Sequence, residues 1–141
     1  MIDDNNSLLR INDIKEAKKA IKLLIVDDEL DICDFVRNFF TERDFEVFIS
    51  CDGRTAIDIV KDKNPDIVLL DMLMPVMNGM EALKKMRQID PLLKIIVVTA
   101  VEDEEIISEA ENYGIIKYMT KPLILEDLEK AVLSAVGGPD K

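Results

Sequence analysis

The chain contains no histidine at all. That excludes a catalytic triad, an imidazole base, a His-ligated metal and a phosphohistidine carrier within it. Tryptophan is also absent, and only two cysteines occur, Cys33 and Cys51. They form no CxxC pair, so neither a zinc site nor a disulfide framework is expected. No apolar run approaches the roughly 18–20 residues of a membrane span. The stretch from Met1 to Ser7 is acidic and polar, unlike a secretory signal. A reducing, bacterial-type cytoplasm is the expected location. Basic residues are the minority, 18 Lys and Arg against 29 Asp and Glu, for a net charge of −11. Such a surface repels nucleic acid and anionic membranes, and neither is an expected partner.

What is present is ordinary globular material. The 141 residues are 48% hydrophobic and 33% charged, enough for one domain and one core. Short apolar runs recur at Leu23–Val26, Ile67–Leu70, Ile95–Val98 and, more weakly, Ile115–Met119. Glu46–Ser50 alternates and reads as an edge strand. Continuous runs of this length suit parallel strands buried on both faces. Between them lie helical stripes: Ile32, Phe35, Val36, Phe39 and Phe40; Ala56, Ile57 and Val60; Met80, Leu83, Met86 and Arg87 after the Asn78-Gly79 turn; Ile106, Ile107 and Ala110; and Leu128, Ala131, Val132 and Ala135. Five βα units predict an α/β fold, a doubly wound parallel sheet with right-handed crossovers. The domain is expected over residues 22–136. Residues 1–21 read as an extension, either one short helix with Asn12 as its cap or a frayed tail, and 137–141 read as a tail.

The predicted strands end in polar groups. The first runs into Asp27-Asp28-Glu29, the third into Asp71, the fourth into Thr99 and the fifth into Thr120-Lys121-Pro122. Ligands of open α/β sheets sit at the carboxyl ends of the strands, so these groups should converge. Three aspartates against one lysine leave negative charge for a divalent cation. All-oxygen ligands favour Mg²⁺, with Mn²⁺ able to substitute. A metal with a spare ammonium and a hydroxyl suits phosphoryl chemistry, and a carboxylate can itself be the nucleophile.

The ordered set Asp27-Asp28, Asp71 with Met74-Pro75 and Asn78-Gly79, Thr99-Ala100, and Tyr118 with Lys121-Pro122 resembles the response-regulator receiver domain of two-component signalling. The likeness runs from about Lys22 to Val136. It implies a flavodoxin-like (βα)5 fold with strand order 2-1-3-4-5. It implies that Asp71 accepts the phosphoryl group. Asp28 would bind Mg²⁺ directly, Asp27 mainly through water, and Asp71 and the backbone carbonyl of Leu73 would complete the protein ligands. Lys121 would pair with Asp71 at rest and with a phosphoryl oxygen afterwards. Thr99 would bond another oxygen, Tyr118 would report the change by its rotamer, and the Lys121–Pro122 bond would be cis. The implied donor is a sensor histidine kinase or a histidine phosphotransfer protein, and the receiving partner is an unspecified downstream protein.

The residues suggest the switch independently. A phosphoryl group adds strong acceptors and about −1.5 to −2 of charge. Thr99 reads as the nearest uncommitted hydroxyl and should move toward it, leaving room beside the fourth helix for Tyr118 to turn inward. Leu30, Cys33 and Arg37 are expected on an outer face of the first helix, as a docking edge for the donor. Met72, Leu73, Met74 and Met77 read as core and loop packing, with an adaptable partner surface as the alternative.

Two positions depart from the family's usual pattern. Leu73 and Val101 are apolar where the family tunes dephosphorylation, so neither can orient an attacking water and a slow acyl-phosphate decay is expected. An output domain is not expected within the residues after the last helix. That suits a stand-alone receiver, a relay intermediate, or a receiver cut from a longer chain. A haloacid-dehalogenase-type phosphatase would want an acid where Leu73 stands. A flavodoxin-like cofactor binder would want a glycine- and hydroxyl-rich loop where Asp27-Asp28-Glu29 stands. A non-catalytic, receiver-like binding scaffold is the remaining alternative, and the complete residue set argues against it. The expected protein is no general enzyme: it catalyses only its own phosphorylation and dephosphorylation.

Overall fold

A computed structural model describes residues 19–137. The expected N-terminal helix and the end of the tail lie outside the described residues. Strands and helices alternate throughout: β1 (Lys22–Val26), α1 (Leu30–Thr41), β2 (Glu46–Ser50), α2 (Gly53–Lys63), β3 (Ile67–Leu70), α3 (Gly79–Ile89), β4 (Lys94–Thr99), α4 (Glu104–Asn112), β5 (Lys117–Thr120) and α5 (Leu125–Val136). All pairings are parallel, as the apolar runs predict, and the order is β2-β1-β3-β4-β5, as the resemblance implies. β2 is an edge strand.

Parity along the strands explains the two-sided core. Leu24, Val26, Val68, Leu70, Ile95 and Val97 share one cluster with Ala56, Val60, Leu83, Met86 and Ala110, beneath α2, α3 and α4. The alternate residues Leu23, Ile25, Ile67, Leu69, Ile96 and Val98 share another with Val36, Phe40, Leu128 and Val132, beneath α1 and α5. Successive side chains of a strand point to opposite faces, so a run with no polar break must be covered twice.

Local chemistry starts the helices. Asp52 accepts from Thr55 N, and Asp103 from Glu105 and Ile106 N. Asn78 and Glu81 form a full capping box on α3. α1 and α5 begin at Glu29 and Ile124 without a side-chain cap.

Several expectations are corrected. Phe35 is 58% exposed, and the buried line of α1 runs through Cys33, Val36 and Phe40. A spacing of three and four turns Phe35 away from that line. Cys33 therefore leaves the supposed docking edge: it is fully buried and its thiol donates to the Asp27 carbonyl at 3.2 Å. Arg87 is not part of an apolar stripe. Its guanidinium donates to the carbonyls of Tyr113, Leu93 and Pro91 at 2.7, 2.7 and 3.0 Å, tying the α3–β4 loop to the end of α4. On α4 only Ala110 is buried, while Ile106 and Ile107 are half-buried. β5 begins at Lys117, two residues later than expected.

Candidate functional site

Parallel register brings the strand ends to one edge. Val26 pairs with Leu70, Leu70 with Val97, and Thr99 with Thr120. The residues just past these pairs are Asp27, Asp71 and Lys121, and they meet there. Asp27 and Asp71 are each 4% exposed and Thr99 is fully buried. Asp28 is exposed. Carboxylate oxygens of Asp27, Asp28 and Asp71 all lie within 4.8 Å of one another. Asp28, Asp71 and Lys121 line an open cleft of about 560 Å³, with Glu29, Leu73, Met74, Pro75 and Ala100 around them.

Asp71 is held on both oxygens. Its Oδ1 accepts from the Thr99 hydroxyl at 2.6 Å and from Leu73 N at 3.0 Å. Its Oδ2 accepts from Lys121 Nζ at 3.1 Å. Thr99 Oγ1 in turn accepts from Met72 N at 3.3 Å and Val101 N at 3.4 Å. Thr99 is thus fully bonded here, not the uncommitted hydroxyl that the sequence suggests. Tyr118 is already turned toward the core: its hydroxyl donates to the Val101 carbonyl at 2.7 Å, and its ring packs on the α2–α4 side cluster.

Lys121 is not spare either. All three of its N–H bonds end on carboxylates: Glu29 at 2.6 Å, Asp27 at 2.8 Å and Asp71 at 3.1 Å. Burial alone depresses its pKa, but these hydrogen bonds outweigh burial and hold it above the usual lysine range. Burial raises the Asp27 carboxyl above its usual range, although the Lys121 hydrogen bond pulls the other way. The Cys33 thiol is pushed up to about 12, first by burial and then by the Asp27 charge, so it is an inert packing group. Burial, with lesser help from Asp71 and Asp103, raises the Tyr118 hydroxyl.

Two glycines make the site possible. A Cβ on Gly79 would overlap the Asp71 carbonyl and Met72 Cα. A Cβ on Gly53 would stand 2.7 Å from the Met77 carbonyl. The β3–α3 loop therefore lies flat against backbone on both sides. Within it Val76 adopts φ 69°. The Lys121–Pro122 bond is cis, as the resemblance implies. Sequence reasoning missed the contact between Glu29 and Lys121, 92 residues apart, although the third acid of Asp27-Asp28-Glu29 was a signal for it. It also read Gly79 only as a turn.

A doubly wound sheet with this acidic pocket at its carboxyl edge defines a receiver-type signalling domain. The family model for the response regulator receiver domain matches residues 23–133, and the chain belongs to that family. Its members act as phosphoacceptor modules of two-component systems and are not classical enzymes. The chain is 36% identical over 111 residues to sporulation initiation phosphotransferase F of Bacillus subtilis (strain 168), covering 79% of this chain and 90% of that one. A CheY-like receiver domain protein of Methanospirillum hungatei JF-1 superposes with a TM-score of 0.82 at 26% identity, covering 86% and 97% of the two chains. The CheY of a CheX–CheY–BeF3–Mg²⁺ complex from Borrelia burgdorferi superposes with a TM-score of 0.76 at 28% identity, covering 81% and 87%. No described helix is long and apolar enough to cross a membrane.

Proposed function

We propose that the unit over residues 22–136 takes a phosphoryl group onto Asp71 from the phosphohistidine of a sensor histidine kinase or histidine phosphotransfer protein. The observation that carries this reading is the convergence of Thr99, Leu73 N and Lys121 on one buried carboxylate. These 141 residues hold no histidine, so the donor imidazole lies outside them. In the transfer, an Asp71 carboxylate oxygen forms a bond to phosphorus. The donor's P–N bond breaks, and its electron pair stays on the imidazole. Lys121 balances charge on the phosphoryl oxygens, and the Thr99 hydroxyl turns its donation from the carboxylate to one of them.

The donor set fits Mg²⁺, or Mn²⁺ in its place. Asp27, Asp28 and Asp71 offer hard oxygens at close range, and the Leu73 carbonyl accepts no hydrogen bond among the described residues. When bound, the ion supplies positive charge for the transferring group. The Mg²⁺ and BeF3 named with the Borrelia CheY, and the word phosphotransferase in the Bacillus relative's name, favour the same chemistry here.

The output runs through Thr99, the β4–α4 loop and Tyr118. Thr99 Oγ1 accepts from Val101 N, and the Val101 carbonyl accepts from Tyr118. A phosphoryl group that draws on Thr99 therefore acts on Val101 directly, and a downstream protein reads the result. Leu30 is 61% exposed beside the cleft acids, and with Arg37 it forms the revised donor edge. A charged residue at Leu30 should slow transfer from the kinase and spare labelling by acetyl phosphate.

Incubation with Mg²⁺ and acetyl phosphate, read by intact mass, tests the reading. A single added phosphoryl group, absent in Asp71→Asn, is expected. No addition to the wild type would leave the binding-scaffold alternative standing.

A further inference from the structure

Glu29 occupies the N-cap position of α1, yet its side chain makes no cap bond. A shorter Asp, Ser, Thr or Asn would serve the helix better there. Its backbone is fixed instead, since its N–H donates to Asp27 Oδ1 at 2.9 Å and its carbonyl accepts from Cys33 N at 3.1 Å. So anchored, its carboxylate reaches out to Lys121 Nζ at 2.6 Å, the shortest of that lysine's three contacts. The Glu29 side chain is 56% exposed while that of Lys121 is 11% exposed. The carboxylate therefore stands between the ammonium and solvent, on the wall of the cleft that leads to Asp71.

We propose that Glu29 selects the phosphodonor. It screens the attraction of Lys121 for free anions and so disfavours small dianionic donors at the cleft mouth. This rests on Asp71 being the acceptor. Coulomb energy scales with the product of the charges, so the penalty on a dianion is about twice that on a monoanion. Acetyl phosphate is a dianion near pH 7, and phosphoramidate carries one negative charge fewer. In both reactions the Asp71 oxygen bonds to phosphorus as the leaving group, acetate or ammonia, departs with its bonding electron pair. The chemistry at Asp71 is shared and the donor charge differs. A residue that merely positions Lys121 would change both rates alike.

The test compares second-order rates with the two donors, in Mg²⁺, for the full chain by intact mass. Glu29→Gln keeps an oxygen for Lys121 but removes the charge. It should raise the acetyl phosphate to phosphoramidate rate ratio by roughly three- to tenfold at low salt. Salt of about 0.5 M should erase most of that gain. Glu29→Lys should raise the ratio further. Asp62→Asn changes net charge equally on an exposed part of α2 and should leave the ratio unmoved. An unchanged ratio in Glu29→Gln, with the wild type labelled normally, overturns the selection role alone. An equal shift in Asp62→Asn overturns it as well, because the effect would then be diffuse. Failure of the wild type to accept phosphoryl from either donor overturns the Asp71 reading and this inference with it.

Discussion

The Thr99 hydroxyl donates to Asp71 Oδ1 across 2.6 Å, joining the ends of β4 and β3 through a fully buried contact. Thr99 Oγ1 also accepts from Met72 N and Val101 N. Thr99→Ala removes all three bonds and strands buried groups. It should cost about 1–3 kcal/mol, read as a lower urea midpoint, and slow phosphorylation of Asp71. Thr99→Ser should recover most of both.

That contact also marks how far the sequence carries. Uninterrupted runs such as Ile67–Leu70 specify strands covered on both faces, and the polar residue after each run specifies the site edge. The convergence of Asp27, Asp28, Asp71, Thr99 and Lys121 was legible for that reason. Side-chain commitments were not. Whether Thr99 is free or bonded depends on a distance across two strands, and the Glu29–Lys121 pair joins positions that no local pattern relates. Phe35 misled because an apolar residue on a helix carries no mark of which face it occupies. Gly79 was visible as a turn residue, but the backbone it lies against is brought to it only by the fold.

Tyr118 holds the Val101 carbonyl at 2.7 Å. Tyr118→Phe should cost about 0.5–1.5 kcal/mol. The Tyr118 pKa is raised, chiefly by burial, so the folded state keeps this proton longer than the unfolded chain does. The wild-type advantage over the variant should then be constant up to about pH 9.5 and shrink as pH rises past the unfolded tyrosine value of about 10. Paired denaturation curves across that range check the sign.

Lys121 neutralises Asp27 and Asp71, both buried. Its pKa is raised, so its contribution is fully present below the unfolded lysine value of about 10.4 and is lost only at higher pH. Lys121→Met leaves the two acids unpaired and should cost about 3–5 kcal/mol at pH 7. Asp27 is already pushed up by burial, so the folded variant should take up a proton before the unfolded chain does. The gap to wild type should therefore narrow as pH falls from 7 toward 5. Mg²⁺ should also narrow it, by binding the folded acids.

Val76 sits at φ 69° and is 75% exposed. A β-branched residue pays for the left-handed region, where Asn is tolerated, and its side chain buries little in return. Val76→Asn should stabilise the protein by about 0.5–1 kcal/mol, seen as a higher urea midpoint with an unchanged slope. The loop lies between Gly53 and Gly79, so its path should be unaltered.

Hydrolysis of an acyl phosphate on Asp71 needs a water held in line with the phosphorus. Leu73 follows the acceptor by two residues, lines the cleft and is 58% exposed, and its side chain has no polar atom. Val101 follows Thr99 by two and spends its backbone N–H and carbonyl on Thr99 and Tyr118. Neither side chain can orient that water, so phosphorylated protein should persist well beyond seconds once excess donor is removed. Leu73→Asn places an amide at the cleft wall without disturbing the Leu73 N to Asp71 bond, which is made by backbone. It should shorten the lifetime several-fold, as catalysis by a positioned polar group is worth far more when complete. Intact-mass time courses after removal of excess donor measure both lifetimes. Loss of the wild-type phosphoryl group within seconds, or an unchanged lifetime in Leu73→Asn, would show that water is held by some other group.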